Sequence, residues 1–329
     1  MSFAKETKNK ILDGYQITKL DSYQITKEDA LRLVDEDLEE LCESADELRR
    51  HFCGDSFDLC TIINGKSGKC SENCKYCAQS SFYKTAVEEY PLLESTNIQK
   101  DAIYNHEKGI LRYSIVTSGK CLSDDELDKI CESYSSIGKN CSVSLCASHG
   151  LLTLEQFKKL KASGVNRYHN NLETSRRNFP NICTTHTYDD KIAAIKNAQK
   201  AGLDVCSGGI MGLGETMEDR IDMVMDIQAL GIKSVPVNIL NPIEGTPYEH
   251  LPVLTVDEVR RIVSIFRFIM PSGAIRLAGG RGLLHDKGRS VFMSGANAAI
   301  SGDMLTTSGI SIDEDMSILK ELGFEVRKL

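Results

Sequence analysis

Short apolar or β-branched runs alternate with amphipathic helical stretches along most of this chain. No other feature restricts its fold as strongly. The runs fall at 57–63 (FDLCTII), 110–117 (ILRYSIVT), 141–147 (CSVSLCA), 165–171 (VNRYHNN), 203–210 (LDVCSGGI), 233–240 (KSVPVNIL), 273–278 (GAIRLA) and 298–302 (AAISG). Helical patterns fill 123–138, 153–163, 187–201, 215–230 and 255–269. Ser123, Thr153 and Thr255 are placed to cap helices, and Gly138, Gly164, Gly202 and Gly231 to end them. Strands separated by helices predict parallel βαβ units. Eight such units over about 250 residues match the size of a closed (β/α)8 barrel, an α/β fold of TIM type. A doubly wound open sheet is the alternative, because periodicity does not report closure. Residues 1–50 read as a helical extension, with Leu31, Leu33, Val34, Leu38, Leu41 and Cys42 at helical spacing. Residues 51–329 form the barrel with a short C-terminal tail.

Charge and composition narrow the function. The chain carries 39 Lys and Arg against 47 Asp and Glu, a net charge of −8. That balance disfavours nucleic acid or an anionic membrane as a partner. No apolar run reaches the ~18 residues of a spanning helix, and MSFAKETKNK has no apolar signal region, so the expectation is a cytoplasmic protein. In a reducing compartment, twelve cysteines are metal ligands or buried small side chains more often than disulfides.

Three of them stand together in Cys70-Ser-Glu-Asn-Cys74-Lys-Tyr-Cys77, directly after the first strand run. Soft thiolates at this spacing suit an iron–sulfur cluster or zinc. A closed zinc site needs a fourth ligand, which His51, Cys53 or Cys60 would have to supply. Three cysteines on a four-iron cluster instead leave one iron open to a small molecule. The glycine segment GGIMGLGE (208–215) lacks the lysine of a phosphate loop and reads better as close backbone approach. Polar residues also gather at strand ends, where barrel chemistry sits: Thr117, Cys146, Asn171, Glu173, Cys206, Asn238, Arg276 and Thr306. Cys206, Gly208 and Ile210 share a strand face by the two-residue period.

The C-x3-C-x2-C triad, with Tyr76 before its last cysteine, resembles the radical S-adenosylmethionine superfamily. CKYCAQSSFYKT (74–85), NNLET (170–174), TTHTYDDK (184–191), VCSGGIMGLGET (205–216), SVPVNILNPIEGTP (234–247), IRLAGGR (275–281) and FMSGANAAISGDMLTT (292–307) resemble its biotin synthase branch. The resemblance implies a homodimeric barrel enzyme that inserts sulfur into dethiobiotin by 5′-deoxyadenosyl radical chemistry. Sulfur would come from an auxiliary iron–sulfur cluster, and electrons from a flavodoxin- or ferredoxin-class protein. Cys70, Cys74 and Cys77 would hold the 4Fe–4S cluster. Tyr76, Thr117, Asn171, Glu173, Lys191, Ile210 and Asn241 would bind S-adenosylmethionine, with Lys191 where the family can have arginine. Asn171, Asn238 and Thr306 would hold dethiobiotin.

The auxiliary site departs from the family pattern of three cysteines and an arginine. Cys146, Cys206 and Arg276 match it, but Ser114 stands where the second strand should carry cysteine. Serine is a weak, hard ligand for iron. Cys183 is the expected replacement, which gives an auxiliary set of Cys146, Cys183, Cys206 and Arg276 on a two-iron or four-iron cluster. Cys121 is the second candidate, and His149 and His186 are weaker ones. Cys42, Cys53, Cys60, Cys131 and Cys141 are expected to be structural. The competing functions are a sister radical enzyme, of mutase or hydrogenase-cofactor maturase type, and a zinc-stabilised binding protein.

Overall fold

The computed structural model describes residues 2–18, 24–307 and 309–329. Among the described residues there are ten strands: β1 (Ser56–Lys66), β2 (Arg112–Thr117), β3 (Ser144–Ser148), β4 (Arg167–His169), β5 (Asp204–Cys206), β6 (Gly209–Met211), β7 (Ser234–Ile239), β8 (Ala274–Leu277), β9 (Ala298–Ser301) and β10 (Glu325–Val326). Neighbours pair in parallel from β1 round to β9, and β9 pairs back onto β1, so the sheet closes. The open sheet is thereby excluded. β5 and β6 both pair with β7 and together make one stave of the eight. β10 lies outside the ring on β1.

The expected fifth strand is split because the chain bends at Ser207-Gly208. A Cβ on Gly208 would strike the Pro236 carbonyl, and one on Gly209 would strike the Glu173 carbonyl. Only glycine lets these backbones approach so closely.

The helices are α1 (Phe3–Thr18), α2 (Lys27–Arg32), α3 (Leu38–Cys53), α4 (Ser95–Glu107), α5 (Asp124–Asn140), α6 (Leu154–Ala162), α7 (Phe179–Ile182), α8 (Tyr188–Lys200), α9 (Met217–Ala229), α10 (Val256–Ile269), α11 (Arg289–Phe292) and α12 (Ile312–Glu321). A single device starts five of the helices around the barrel. Ser123, Thr153, Thr187, Thr216 and Thr255 each accept from the backbone N–H three residues on, and that residue's side chain accepts in return. Gly164, Gly202 and Gly231 follow helices with φ of 100°, 80° and 71°, as a left-handed cap requires. Gly138 does not, since α5 runs on to Asn140. Buried aromatics wedge helices onto strands, as where the Phe157 and Tyr168 rings meet edge to face at 4.6 Å. Ahead of β1, α3 packs on α10 and the Arg260 guanidinium binds the Glu39 carboxylate. Among the described residues no helix is long and apolar enough to cross a membrane.

Candidate active site

The barrel encloses a cavity of about 360 Å³ that opens at the C-terminal ends of its strands. Strand alternation fills it in layers. From β1 come Cys60 and Ile62, from β2 Arg112, Ser114 and Val116, from β3 Cys146 and Ser148, and from β4 Arg167 and His169. Cys206 enters from β5 and Arg276 from β8.

The floor is a network of buried charge. Arg276 Nη1 donates to the carbonyls of Asp58 and Ala299 and to Cys60 Sγ, at 2.9, 3.0 and 3.2 Å. Its Nη2 donates to Asp58 Oδ1 at 2.8 Å, and Arg112 Nε reaches Asp58 Oδ2 at 2.8 Å. Burial pushes the Asp58 carboxyl up, but the Arg276 and Arg112 guanidinium groups outweigh it and hold the carboxyl well below the usual range. The Leu329 N–H also donates to Asp58, at 3.2 Å.

Above the floor stand three buried thiols. Burial raises Cys60 to about 12, against the pull of Arg276. Burial also raises Cys146. At Cys206 burial is outweighed by a hydrogen bond from His169 and by nearby cationic groups, and the thiol falls to about 7. The buried Arg167 Nε has no hydrogen-bond partner. An orphaned guanidinium N–H beside thiols, with Arg112 and Arg276 at hand, fits a cavity made for an anionic, thiolate-ligated group. Iron–sulfur clusters are such groups.

The structure does not bring the whole of the expected auxiliary set together. Cys146, Cys206 and Arg276 line one cavity, and the further thiol beside them is Cys60, expected to be structural. Cys183 is elsewhere, at the end of α7, where it meets Cys74. Cys121 is exposed on a loop bridged to Gly150. His149 is locked between Thr117 Oγ1 and Tyr134 Oη, each at 3.0 Å, and burial lowers it to about 3. A signal for Cys60 was present in the sequence. Asp58, Cys60 and Ile62 alternate along β1, and polar residues on one face of a parallel strand point into the barrel.

The three-cysteine loop lies over the mouth. The Cys70 N–H donates to the Gln79 carbonyl at 3.0 Å, and its carbonyl accepts from the Ser81 N–H at 2.8 Å. Gly68 and Lys69 take positive φ to make the turn, at 74° and 50°. The Ser80 hydroxyl donates to the Glu72 carbonyl at 2.7 Å. Burial raises Cys77 to about 11. Among the described residues, only Cys74, Cys183 and His186 bring three ligand atoms within 4.8 Å of one another. Cys70, Cys74 and Cys77 are thus spread wider than the sphere of one zinc ion, as a multi-iron cluster needs.

Between loop and floor sit the remaining expected residues. Tyr76, Asn171, Glu173, Ile210, Asn238, Asn241 and Thr306 line the cavity. Glu173 has φ 71°, held by the Gly208 carbonyl accepting from its N–H at 3.0 Å. Its carbonyl accepts from the Ile210 N–H at 2.8 Å. Asn171 Oδ1 accepts from the Gly208 N–H at 3.0 Å. Asn238 donates to the Gly209 carbonyl at 3.1 Å and accepts from the Gly279 N–H at 2.9 Å. Each amide keeps one N–H and one lone pair free. Thr117 does not line the cavity, because its hydroxyl faces His149. Lys191 lies behind the wall, its Nζ on Asn170 Oδ1 at 3.2 Å.

Comparisons with known proteins place the chain in a family. The radical SAM superfamily model matches residues 65–227, and the Biotin and Thiamin Synthesis associated domain model matches 236–325. A biotin synthase of Akkermansia muciniphila is 67% identical over 290 residues, 88% of this chain and 90% of that protein. One from Clostridium botulinum is 56% identical over 326 residues, 99% of this chain and all of its own length. Among solved structures, methylornithine synthase superposes with a TM-score of 0.81 at 19% identity, covering 99% of this chain and 98% of its own. A maturase of the [FeFe]-hydrogenase gives 0.80 at 19% identity, covering 98% of this chain and 75% of its own. At that identity the structural likeness speaks for the barrel alone.

Proposed function

The chain belongs to the biotin synthase family of radical S-adenosylmethionine enzymes, and from that premise we propose how its residues share the work. The activity is the family's, insertion of sulfur into dethiobiotin to form biotin. When bound, the four-iron cluster supplies the electron that opens S-adenosylmethionine, and the auxiliary cluster supplies sulfur.

In this reading Cys70, Cys74 and Cys77 hold the four-iron cluster. Tyr76, Asn171, Glu173, Ile210 and Asn241 orient S-adenosylmethionine. Thr117 acts one step back by fixing His149, and Lys191 by fixing Asn170. Asn171 and Asn238 present their spare amide N–H and lone pair to the ureido ring of dethiobiotin, with Thr306 at the rim. The apolar walls, including Ile62, Val116 and Ile210, exclude water from the reacting carbons.

The auxiliary ligands are Cys60, Cys146, Cys206 and Arg276, with Arg112 and Arg167 offsetting the cluster's charge. The observation that carries this set is Arg276 Nη1 at 3.2 Å from Cys60 Sγ, in the cavity shared with Cys146 and Cys206. Cys60 on β1 replaces the thiol that Ser114 on neighbouring β2 lacks. A two-iron and a four-iron cluster are both compatible with three thiolates. By family likeness the enzyme works in the cytoplasm as a homodimer, reduced by a flavodoxin- or ferredoxin-class protein.

The test is iron and sulfide content after anaerobic reconstitution of a Cys70/Cys74/Cys77→Ala triple variant. It should keep iron, and adding Cys60→Ala should remove it. A colourless triple variant, or a quadruple variant with undiminished iron, overturns the assignment.

A further inference from the structure

We propose that Cys183 donates a thiol hydrogen bond to the cluster-ligating sulfur of Cys74, and so raises the reduction potential of the four-iron cluster. The proposal rests on the assignment of Cys74 as a cluster ligand.

Cys183 is 3% exposed, at the C-terminal end of α7, where its N–H is fixed on the Phe179 carbonyl at 3.1 Å. Its sulfur, that of Cys74 and a His186 ring nitrogen all lie within 4.8 Å of one another. Accounting for the other neighbours of Cys183 Sγ narrows where its proton goes. Asn73 Oδ1, at 3.5 Å, already accepts from the Thr184 and Thr185 N–H groups at 2.9 and 3.3 Å. Thr185 Oγ1, also at 3.5 Å, accepts from the Asn73 N–H at 3.1 Å and gives its proton to Glu72 Oε2 at 2.8 Å. His186 Nδ1, at 3.3 Å, is bonded to the same Glu72 oxygen, so it holds a proton and cannot accept another. Three acceptors remain, the second lone pair of Thr185 Oγ1, His186 Nε2 at 3.9 Å and Cys74 sulfur, and of these only Cys74 bears negative charge once it binds iron.

The reduced cluster is one electron more negative than the oxidised one. A donor at a ligand sulfur therefore stabilises the reduced form more, and hydrogen bonds to the sulfurs are an established control on cluster potential. Cys183 is a positioning residue, acting through Cys74 and not on substrate.

The measurement is the midpoint potential of the four-iron cluster, followed by electron paramagnetic resonance, in reconstituted wild type, Cys183→Ala and Cys183→Ser. The alanine variant should be reduced threefold to tenfold less favourably, a fall of about 28–59 mV for a one-electron couple. The serine variant, which keeps an O–H donor, should recover at least half of that. Coincident wild-type and alanine potentials overturn the proposal, as does a serine variant shifted as far as alanine. Loss of cluster iron in both variants would make Cys183 a ligand, which also overturns it. If only the alanine variant takes up no cluster, electron–nuclear double resonance in H2O against D2O decides. A proton exchangeable in wild type and altered by Cys183→Ser supports the proposal, and identical spectra overturn it. Failure of the underlying assignment is seen separately, because wild type would then show no four-iron signal that changes on adding S-adenosylmethionine.

Discussion

Asp58 has no exposed side-chain surface, yet it holds two guanidinium groups and a backbone N–H. Removing its charge strands Arg112 and Arg276 below the thiols. Breaking such a buried pair costs about 3–5 kcal/mol. Asp58→Asn should therefore lower Tm by about 4–7 °C in calorimetry of the holoenzyme. The pH response has a definite sign. The folded carboxyl is held below its unfolded value of about 3.9, so its contribution is full above that pH and is lost as pH falls further. Wild type should lose stability below about pH 4 more steeply than Asp58→Asn. Chemical denaturation at stepped pH reads the difference, and parallel curves would count against it. The sequence declared the Cys70–Cys77 triad, because its ligands lie within one loop. It did not declare the Cys60–Cys146–Cys206 set, because barrel closure alone brings β1, β3 and β5 together. A spare cysteine in a loop, Cys183, looked as good a replacement for the missing thiol as one on a strand.

At the scale of elements, strands and helices were legible wherever local chemistry fixes them. The paired Thr or Ser caps announced their helices, and the α10 cap can be tested far from the cavity. Thr255→Ala removes the acceptor for the Glu258 N–H and should cost about 1 kcal/mol without altering cluster content. Thermal unfolding measures the first and iron analysis the second. The broken stave β5–β6 was not legible, since LDVCSGGI reads as one continuous strand. Its break exists to admit the Pro236 carbonyl, a tertiary fact with no local signature. Gly208→Ala should thus cost about 3 kcal/mol or more, a core-overpacking penalty. It should also weaken S-adenosylmethionine binding in equilibrium dialysis, because the Gly208 N–H and carbonyl hold Asn171 and Glu173. Unchanged affinity would show that the break serves packing only.

Across the whole molecule, closure of the ring was an inference from size and element order, while the pairing of β9 with β1 is an observation. The Asp58–Arg112–Arg276 network, tied to Leu329, lies across the floor of the barrel on the side away from the three-cysteine loop. With that floor in place, we expect the cavity to act as a flask with one neck and to fill in order. Whatever occupies the floor must arrive before the ligands nearer the mouth and cannot leave past them. Dethiobiotin and S-adenosylmethionine together should stopper the flask. Restoring auxiliary iron and sulfide should be at least severalfold slower in their presence than in their absence, followed by absorbance in the Cys70/Cys74/Cys77-intact protein. Each round of sulfur loss would then have to wait for the neck to clear, so turnover would be paced by emptying and restocking and not by the chemistry at the bottom.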